Sequence, residues 1–388
     1  MVHYCTDIHH VPPEPYTDLY DVRRLAELLG VKRSTIRTMR RRGQLPEPTA
    51  SDINGGAVWS REIIEEFFML KESTLSIPSV NKSLPQVVDL FSGCGGLSLG
   101  FQMAGFDVIA GFDNWNPAIE TYTKNLGHSA TRLDLGDVEA TIAALEPYFI
   151  SSEKPAIIGG PPCQDFSSAG KRKEGARADL TEKYAAVVTR LMPPFFVMEN
   201  VARAQHAGAF KRAVGMMEKA GYTVAMIVLD ASKCGVPQVR KRLITIGTLD
   251  VNKTIDILSR LENGQSSRQT TLRDYFGDAL GTEHYYRHPR SYARRAIFSI
   301  DEPSPTIRGV NRPIPQGYPG HPGDSAPIKE ARPLTTSERA RIQTFPEEFQ
   351  FVGARTNVEQ MIGNAVPPLL GKYVAEAIAP SFDDYFAG

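Results

Sequence analysis

One cysteine lies in a rigid polar loop that could make its thiol reactive. Cys163 follows two glycines and two prolines, directly after the apolar run 156–158. The carboxyl end of a parallel strand is where α/β folds form active sites, and a nearby basic group or helix N-terminus lowers the pKa of a thiol and makes it nucleophilic. The alternative, a small buried apolar side chain, is the more common state of a lone cysteine. That state, or no role at all, is our interpretation of Cys5, Cys94 and Cys234.

A glycine-rich segment follows an earlier apolar run. Gly93, Gly95 and Gly96 come directly after the predicted strand 87–91 and before a predicted helix. Glycine lets the backbone approach a ligand closely, with helix N–H groups pointing at it. Asp113 ends the next predicted strand about twenty residues on, where a ribose-binding acid belongs in this architecture. The pattern favours a nucleoside cofactor, although any tight strand-to-helix turn also uses glycine.

Charged residues stand at the ends of two further predicted strands. Glu199 and Asn200 close one of them, and a carboxylate there is either a helix cap or an acid–base group. Gln238, Arg240 and Arg242 precede the other and fall on one face of an extended chain. Fixed donors on one face suit a phosphate or a carbonyl oxygen, and the alternative is a solvated basic strand end.

Apolar runs that alternate with helical stretches would bring these residues together. The predicted strands are residues 87–91, 107–112, 156–158, 195–198, 224–229 and 243–246. Helical stretches such as 117–125 and 184–192 lie between several of them. The alternation predicts an α/β fold with a mostly parallel sheet that is covered on both faces. From about residue 250 to 330 the periodicity weakens, and Pro, Gly, Arg, Tyr and His become frequent.

Regular structure is predicted again after this irregular segment. Thr335 and Glu338 form a capping box for a helix that runs to Gln343. Pro367 and Pro368 can open a last helix with apolar residues on its inner face.

The first part of the chain, residues 17–72, is predicted to be a small separate unit. Asp21 can cap a first helix, and a second helix follows Ser34. Asn54 and Gly55 are a tight-turn signal, and residues 57–59 could be a short strand. This order of helix, turn, helix, hairpin and helix is typical of a winged helix-turn-helix. Residues 31–46 contain no acid and six basic residues, which are Lys32, Arg33, Arg37, Arg40, Arg41 and Arg42. That charge suits contact with phosphate, and a solvated basic helix is the alternative. Residues 73–85 are interpreted as a linker.

Length and composition limit the possible classes of protein. The chain has 388 residues, enough for two or three domains. Its 44 Lys and Arg balance 44 Asp and Glu, and 41% of the residues are hydrophobic, which excludes global disorder and confines nucleic-acid binding to local basic clusters. The sequence has no apolar run of about eighteen residues, no export-signal pattern and no disulfide or metal framework among its four cysteines. These features predict a cytoplasmic protein with free thiols.

Six sequence blocks, in order, resemble those of the DNA (cytosine-5) methyltransferases. They are Asp89–Gly96, Gly160–Gln164, Glu199–Val201, Gln238–Arg242, Arg332–Thr335 and Gly363–Pro367. The resemblance covers roughly residues 85–388 and points to the bacterial restriction–modification type. The first part of the chain resembles the excisionase or mercury-regulator type of winged helix-turn-helix.

The resemblance implies a methyltransferase sheet of Rossmann-like type with an irregular target-recognition domain. The implied boundaries are 1–76 for the winged helix-turn-helix, 77–85 for a linker, 86–250 for the catalytic domain, 251–330 for target recognition and 331–388 for a return to the catalytic domain.

The resemblance also implies the reaction. A methyl group would pass from S-adenosylmethionine to C5 of a cytosine flipped out of a specific duplex DNA sequence, leaving S-adenosylhomocysteine. Cys163 would add to C6 as the covalent nucleophile. Glu199 would contact N3 and the exocyclic amine, Arg242 would reach the O2 carbonyl, and Arg240 would lie nearer the phosphates. The sequence does not identify the base that removes the C5 proton, and it predicts no metal.

The same resemblance assigns a cofactor site. Phe91 would lie near adenine, Asp113 would bind the ribose hydroxyls, and Asp134 with Leu135 would meet the adenine edge. Many relatives have a bulky residue directly after the ribose acid, where this chain has Asn114. The full predicted set is Phe91, Ser92, Gly93, Cys94, Gly95, Gly96, Asp113, Asn114, Asp134, Leu135, Pro162, Leu180, Asn364 and Val366.

The irregular segment falls where the family keeps its target-recognition domain. Its tract 284–295 interleaves basic and aromatic residues, which could read base edges and hold phosphates. The alternative is a surface insert with arginines on its rim. Besides the basic residues of the first unit, the predicted DNA contacts are Gln164, Ser167, Arg287, Arg290, Arg294 and Arg295.

The partners predicted are double-stranded DNA and, through the first unit, promoter DNA of the protein's own operon. Two alternatives remain open: methylation of cytosine in RNA, and a DNA-binding regulator whose methyltransferase-like part is inactive. The target sequence, a partner endonuclease and the oligomeric state are not readable from these residues.

Overall fold

The computed structural model describes residues 19–28, 32–41, 45–53, 56–64, 77–162, 179–383 and 385. Cys163, Gln164 and Ser167 lie outside the described residues, as do Arg42 and the predicted turn at residues 54–55. The chain divides into two compact units, Met1–Ser76 and Ile77–Gly388. Among the described ranges, no helix is both long and apolar enough to cross a membrane.

The first unit combines helices with a small antiparallel sheet. Its elements are β1 (Leu19–Asp21), α1 (Val22–Leu28), α2 (Arg33–Arg41), β2 (Ala50–Ile53) and β3 (Gly56–Ser60). β3 lies between β1 and β2 and is antiparallel to both. The sequence predicted α1, α2 and β3, but not β1 or β2, which are short and lack an apolar alternation.

This unit has its own apolar core. Leu25 of α1, Ile36 of α2 and Trp59 of β3 are fully buried together. Asp21 caps α1 as predicted, because its Oδ1 accepts a hydrogen bond from the amide of Arg24 at 2.7 Å.

Seven strands of the second unit form one sheet. The strands of this unit are β4 (Val87–Leu90), β5 (Val108–Asp113), β6 (Ala130–Arg132), β7 (Ala156–Gly159), β8 (Phe195–Val201), β9 (Thr223–Asp230), β10 (Gln238–Val239), β11 (Lys241–Thr248), β12 (His284–Tyr286), β13 (Ile297–Ser299), β14 (Ser304–Pro305) and β15 (Ala331–Pro333). The order in the large sheet is β6-β5-β4-β7-β8-β11-β9. The first five of these run parallel, whereas β11 is antiparallel to both β8 and β9. The predicted α/β sheet is confirmed, and each predicted strand overlaps an observed one.

Helices cover both faces of this sheet. They are α3 (Gly96–Met103), α4 (Asn116–Asn125), α5 (Val138–Leu145), α6 (Asp179–Leu191), α7 (Gly208–Lys219), α8 (Val251–Asn263), α9 (Leu272–Phe276), α10 (Thr336–Ile342), α11 (Arg355–Asn364) and α12 (Pro368–Ile378). Val87 and Ile158 belong to one apolar cluster, and their neighbours Val88 and Ile157 belong to the other. Successive side chains of a strand point to opposite faces, so the apolar runs of this sequence read as strands buried on both sides.

The predicted helix signals near the end of the chain are confirmed. Thr335 and Glu338 form a reciprocal capping box at the start of α10. Pro367 precedes α12, which buries Leu370 and Val374 and packs against α3.

The segment 251–330 does not separate from the sheet at its predicted boundary. Asp250 caps α8, and Ile257 and Leu261 of this helix lie in the same apolar cluster as the sheet strands. Tyr285 and Phe298, from the small sheet of β13, β12 and β15, also belong to that cluster. The boundary at 250/251 therefore falls before a helix that packs against the large sheet, and within 251–330 only the part after α8 lacks long helices and strands.

The predicted linker also shortens at its C-terminal end. Leu84 and Pro85 are buried, and the amide of Asn81 donates to the carbonyl of Gly105 at 2.8 Å. Residues 81–85 of the predicted 77–85 linker therefore pack as part of the second unit.

Candidate active site and cofactor site

The loops that follow the central strands meet at one edge of the large sheet. Leu90, Phe112, Gly159 and Met198 lie side by side in one row across four parallel strands. The chain places β5 and β6 on one side of β4, and β7 and β8 on the other. Such a reversal opens a crevice outside the carboxyl ends of the strands, where α/β proteins bind ligands.

The glycine-rich loop leaves β4 with a left-handed backbone. Phe91, Gly93 and Gly95 have φ angles of 59°, 54° and 91°. The amide of Ser92 donates to the carbonyl of Phe112 at 3.0 Å, which ties the loop to the neighbouring strand. Glycine adopts positive φ without steric cost, so two of these three positions suit glycine for a physical reason.

Glycines of α3 also let the C-terminal part of the chain approach. A Cβ on Gly96 would overlap the carbonyl oxygen of Val366, and a Cβ on Gly100 would overlap that of Pro368. This close packing brings Val366, one of the predicted cofactor residues, against the glycine-rich loop.

Asp113 holds the loop from the end of β5. Its Oδ2 accepts from the amide of Gly93 and its Oδ1 from the amide of Trp115, each at 2.9 Å. Burial raises the pKa of Asp113, and these two amides oppose that shift. The carboxylate is therefore partly engaged by the loop that it was predicted to complement.

The space beside this loop fits a polar ligand. No described atom lies within 4 Å of the position that a Cβ on Gly93 would take. The hydroxyl of Ser92 is buried and has no hydrogen-bond partner among the described residues. Buried polar groups normally have a hydrogen-bond partner, and the S-adenosylmethionine implied by the resemblance would supply hydroxyl, amino and carboxylate groups.

The remaining predicted cofactor residues at this edge of the sheet differ in how far their side chains are exposed. Asn114, Asp134, Pro162 and Asn364 are exposed, whereas Leu135 is buried and Leu180 and Val366 are half-buried. Leu180 Cδ2 lies 3.6 Å from the position of a Cβ on Gly136, which places α6 beside the Asp134 turn. Cys94 differs, because its side chain is buried in the core and burial raises the pKa of its thiol to about 12. Only its main chain can face a ligand.

Glu199 and Arg242 form an ion pair at the same edge. Glu199 Oε1 lies 2.7 Å from Arg242 Nε, and the two side chains are 12% and 14% exposed. Glu199 is part of β8, and Ile244 of β11 is its partner in the sheet. The acid is therefore not a helix cap, which leaves the acid–base alternative. A Cβ on Gly160 would lie 3.3 Å from Glu199 Oε2, so the carboxylate lies over the loop that leads to Cys163.

Asn200 fixes that loop to the sheet. Its Nδ2 donates to the carbonyl of Pro161 at 3.1 Å, and its Oδ1 accepts from the amide of Val201 at 2.8 Å. The side chain is 4% exposed, and both of its polar atoms are satisfied, as buried amides require. The only local signal for this role is that a polar residue directly follows an apolar run.

Arg240 lies elsewhere than predicted. It is 1% exposed, and its guanidinium donates to the carbonyls of Ile307, Gly363 and Ala365 at 3.4, 3.2 and 3.0 Å. The geometry therefore does not place Arg240 at a phosphate. The chain folds over Arg240, and the carbonyl oxygens that it binds are those of the protein itself.

The four arginines of the predicted recognition tract divide into two pairs. Arg287 donates to the carbonyl of Thr306 at 2.7 Å, and burial lowers its pKa to about 10. Arg295 pairs with Glu302 and lies over the ring of Phe298. The guanidinium groups of these two already have partners within the protein. The other two, Arg290 and Arg294, are exposed.

A cluster of positive charge that the sequence did not indicate lies beside this tract. Arg308 is half-buried, and its guanidinium donates to the carbonyl of His288. Burial lowers the pKa of Arg308, and the charges of Arg290 and Arg312 lower it further. Arg308 and Arg312 were missed because each stands singly in the chain, and only the fold brings them together.

In the first unit, the basic residues lie on one helix. Lys32 directly precedes α2, and Arg33, Arg37, Arg40 and Arg41 belong to it. All five are exposed.

Comparison with known proteins identifies the second unit. Residues 85–380 match the family of C-5 cytosine-specific DNA methylases. The chain is 51% identical over 294 residues to the Type II methyltransferase M.HgiDI of Herpetosiphon aurantiacus, a match that covers 76% of this chain and 94% of the relative. It is 50% identical over 294 residues to the Type II methyltransferase M.HindV of Haemophilus influenzae, covering 75% of this chain and 95% of the relative.

Solved structures agree on the fold. The Entamoeba histolytica methyltransferase EhMeth superposes with a TM-score of 0.56 at 17% identity, over 77% of this chain and 98% of that chain. The S. pombe Dnmt2 methyltransferase gives a TM-score of 0.54 at 16% identity, over 76% of this chain and 98% of that chain. On the family match and the two bacterial relatives, the chain belongs to the family of C-5 cytosine-specific DNA methylases.

Proposed function

We propose that this DNA cytosine-5 methyltransferase methylates a cytosine flipped out of a specific duplex sequence, as the modification enzyme of a restriction–modification system. The observation that carries the proposal is the Glu199–Arg242 ion pair of 2.7 Å at the ligand-binding edge of the sheet. The pair lies over the loop that leads to Cys163. The target base of a duplex reaches such an enclosed edge only after leaving the stack.

In the proposed mechanism, Cys163 attacks as a thiolate. Its sulfur bonds to C6 of cytosine, and the electron pair of the C5–C6 double bond becomes available at C5, with charge spreading to N3 and O2. Glu199 shares a proton with N3 and accepts from the exocyclic amine, while Arg242 donates to O2. Once C5 carries the methyl group that the cofactor would supply, a base removes the C5 proton. The electron pair of the C5–H bond re-forms the C5=C6 double bond, and the C6–S bond breaks to release the thiolate.

The two charged side chains are already oriented for this role. Each holds the other across β8 and β11, so little reorganisation is needed when charge develops on the base. Asn200 supports them by holding the carbonyl of Pro161, two residues before the nucleophile.

S-adenosylmethionine supplies an electrophilic methyl group when it is bound. The residues that would hold it are Ser92 with its buried hydroxyl, Gly93 with open space beside it, Asp113 and Val366. The carboxylate of Asp113 would bind the ribose hydroxyls, in addition to the two loop amides that it already accepts from.

The test traps the covalent adduct. The protein is incubated with S-adenosylmethionine and a mixed-sequence duplex that contains 5-fluorocytosine, and a denaturation-resistant adduct is sought by gel and mass spectrometry. Fluorine at C5 cannot leave as a proton, so the Cys163–C6 bond should persist. The Cys163→Ser protein should give none. An adduct with tRNA but not with duplex DNA would move the substrate to RNA, and methylation by Cys163→Ser would overturn the covalent mechanism.

We further propose that the first unit is a winged helix-turn-helix that binds the protein's own promoter. Five exposed basic residues on or beside α2 support phosphate contact. Arg37→Glu with Arg41→Glu should abolish promoter binding and leave methylation intact, as should deletion of residues 1–76. Arg23→Glu, at another exposed position of the same unit, is the matched control. Promoter binding that survives both changes to the first unit would refute this role.

A further inference from the structure

Three buried polar side chains gather the carbonyl oxygens of one loop. Arg240 Nη2 donates to the carbonyls of Gly363 and Ala365 at 3.2 and 3.0 Å. Gln343 Nε2 donates to the carbonyls of Ile362 and Ala365, the latter at 3.3 Å. Gln238 Nε2 donates to Gln343 Oε1 at 2.7 Å and so orients its amide. We call Gln238, Arg240 and Gln343 the carbonyl clamp.

The carbonyl clamp also holds a second segment. Gln238 Oε1 accepts from the amide of Ile307 at 2.8 Å, and Arg240 Nη1 donates to the carbonyl of Ile307 at 3.4 Å. A Cβ on Gly363 would overlap the backbone of Arg308 and Gly309. The segments 307–310 and 362–366 are therefore bound to each other and to the same three side chains.

One of these segments borders the cofactor site. The carbonyl of Val366 abuts Gly96 at the start of α3, directly after the glycine-rich loop. A shift of residues 363–366 would therefore change the wall of the space beside that loop.

The other segment borders the cluster of positive charge. Arg308 directly follows Ile307, and its guanidinium donates to the carbonyl of His288, two residues before Arg290. The charges of Arg290 and Arg312 add to burial in lowering the pKa of Arg308. Its own carbonyl accepts from Arg339, whose guanidinium pairs with buried Glu359. Positive charges held together in this way attract an anion, and the anion that the substrate carries is phosphate.

We infer that Arg308 contacts a DNA phosphate and that the carbonyl clamp couples DNA binding at residues 307–310 to cofactor binding at residues 363–366. The inference rests on the proposed function, since it assigns both ligands to the site described above. Gln238, Arg240 and Gln343 act as positioning residues, because they touch neither ligand and order the backbone that does.

The two binding sites would be coupled because the carbonyl clamp orders both segments. When one ligand fixes either segment, the clamp fixes the other, and the second ligand then loses less conformational entropy on binding. Coupling of this kind is reciprocal and typically amounts to about 5- to 150-fold. We expect DNA to tighten binding of the cofactor product by about tenfold.

The experiment measures the dissociation constant of S-adenosylhomocysteine by calorimetry, with and without short mixed-sequence DNA duplexes at fixed salt. S-adenosylhomocysteine is used because it permits no turnover. In Arg240→Lys, one ammonium cannot reach the Ile307 carbonyl and the loop carbonyls together. The factor by which DNA tightens binding of S-adenosylhomocysteine should therefore fall towards one. In Arg308→Gln, the dissociation constant of S-adenosylhomocysteine without DNA should stay at the wild-type value, while the tightening by DNA should shrink. The salt dependence of DNA binding should weaken by about one counterion.

Arg260→Lys is the matched control for Arg240→Lys. Arg260 also donates to a main-chain carbonyl, that of Ala377, at 2.7 Å, but at the far end of α12. Arg260→Lys should retain the full tightening of S-adenosylhomocysteine binding by DNA. Wild-type coupling in Arg308→Gln would overturn the inference, even if Arg240→Lys failed to fold. A wild-type protein that methylates DNA but shows no coupling would overturn the inference alone, whereas one that methylates no duplex would overturn the proposed function.

Discussion

Glu199 of β8 and Arg242 of β11 lie diagonally across two antiparallel strands, with Oε1 2.7 Å from Nε and both side chains little exposed. The arrangement is stronger than a surface ion pair, because two charges that are partly removed from water are screened less by solvent. It also holds both groups in one orientation. The pair therefore supplies a carboxylate and a guanidinium at a fixed spacing to whatever binds at this edge.

Removing either member should affect the reaction more than cofactor binding. In Glu199→Gln and in Arg242→Gln, we expect methylation to fall by about 10²–10³-fold, the usual loss when one group that stabilises developing charge is removed. The dissociation constant of S-adenosylhomocysteine should change by no more than about twofold. Methyl transfer to duplex DNA and calorimetry measure the two quantities.

The control for this experiment is an ion pair of the same chemistry elsewhere. Arg212 Nη2 lies 2.7 Å from Glu182 Oε1, and the arginine side chain is 58% exposed. Arg212→Gln should leave methylation unchanged. If Glu199→Gln and Arg242→Gln also retained full activity, the ion pair would be structural only.

Comparing alanine variants of Gly93 and Gly127 separates two effects of an added methyl group: backbone strain, and loss of space for a bound ligand. The φ of Gly93 is 54° and that of Gly127 is 73°, and no described atom lies near the position of a Cβ on either. Gly93→Ala and Gly127→Ala should therefore each reduce the free energy of unfolding by about 1 kcal/mol. Only Gly93→Ala should weaken binding of S-adenosylhomocysteine, because its methyl group enters the space beside Ser92. Equal affinities in the two variants would move the cofactor away from Gly93.

Much of this site was predictable because strand ends determine it. Glu199 and Arg242 follow or precede apolar runs, and parallel strands bring such ends to one edge, so local patterns and one topological rule predict that they meet. The same rule brings Asp113 to the glycine-rich loop.

Contacts between distant segments were not predictable in this way. The alternation at Gln238, Arg240 and Arg242 predicts a shared face, but not that residues 307 and 362–365 pack over Arg240. Arg308 carries no local signal, since its importance comes from neighbours far away in sequence. Helix α8 packs against the sheet, and no local pattern indicates this because its partners lie in strands far away in the chain.

Two cysteines should be chemically inert in the native protein. Cys94 and Cys234 are buried, and burial raises the pKa of each thiol to about 12. Since the thiolate is the reactive form, iodoacetamide at neutral pH should leave both unmodified in the native state and modify both in denaturant. Peptide mass spectrometry reads out each position. Native-state modification at the denatured rate would contradict the packing of these residues.

Asp89 should make the stability of the second unit depend on pH. Asp89 is 1% exposed, and its carboxyl accepts from Ser98 Oγ at 2.6 Å. Burial raises the pKa of this carboxyl from its ordinary value of 3.8 to about 7. Ser98 Oγ in turn lies 2.9 Å from the hydroxyl of Tyr122. Between these two pKa values the folded protein holds a proton that the unfolded chain has lost. The contribution of Asp89 to stability is therefore present at low pH and is lost as the pH rises to about 7.

Replacing this carboxyl with a neutral amide tests the assignment. Asp89→Asn removes the titration, so the difference in unfolding free energy between variant and wild type should shift in favour of the variant as the pH rises from about 5 to about 7, by up to about 1.4 kcal/mol per pH unit. Above that range the difference should stay constant. Chemical unfolding at a series of pH values measures this difference in unfolding free energy. The control is Asp256→Asn, at an exposed position on α8, whose unfolding free energy should vary with pH in parallel with that of the wild type. Parallel curves for Asp89→Asn as well would mean that Asp89 is already ionised at acidic pH in the folded protein.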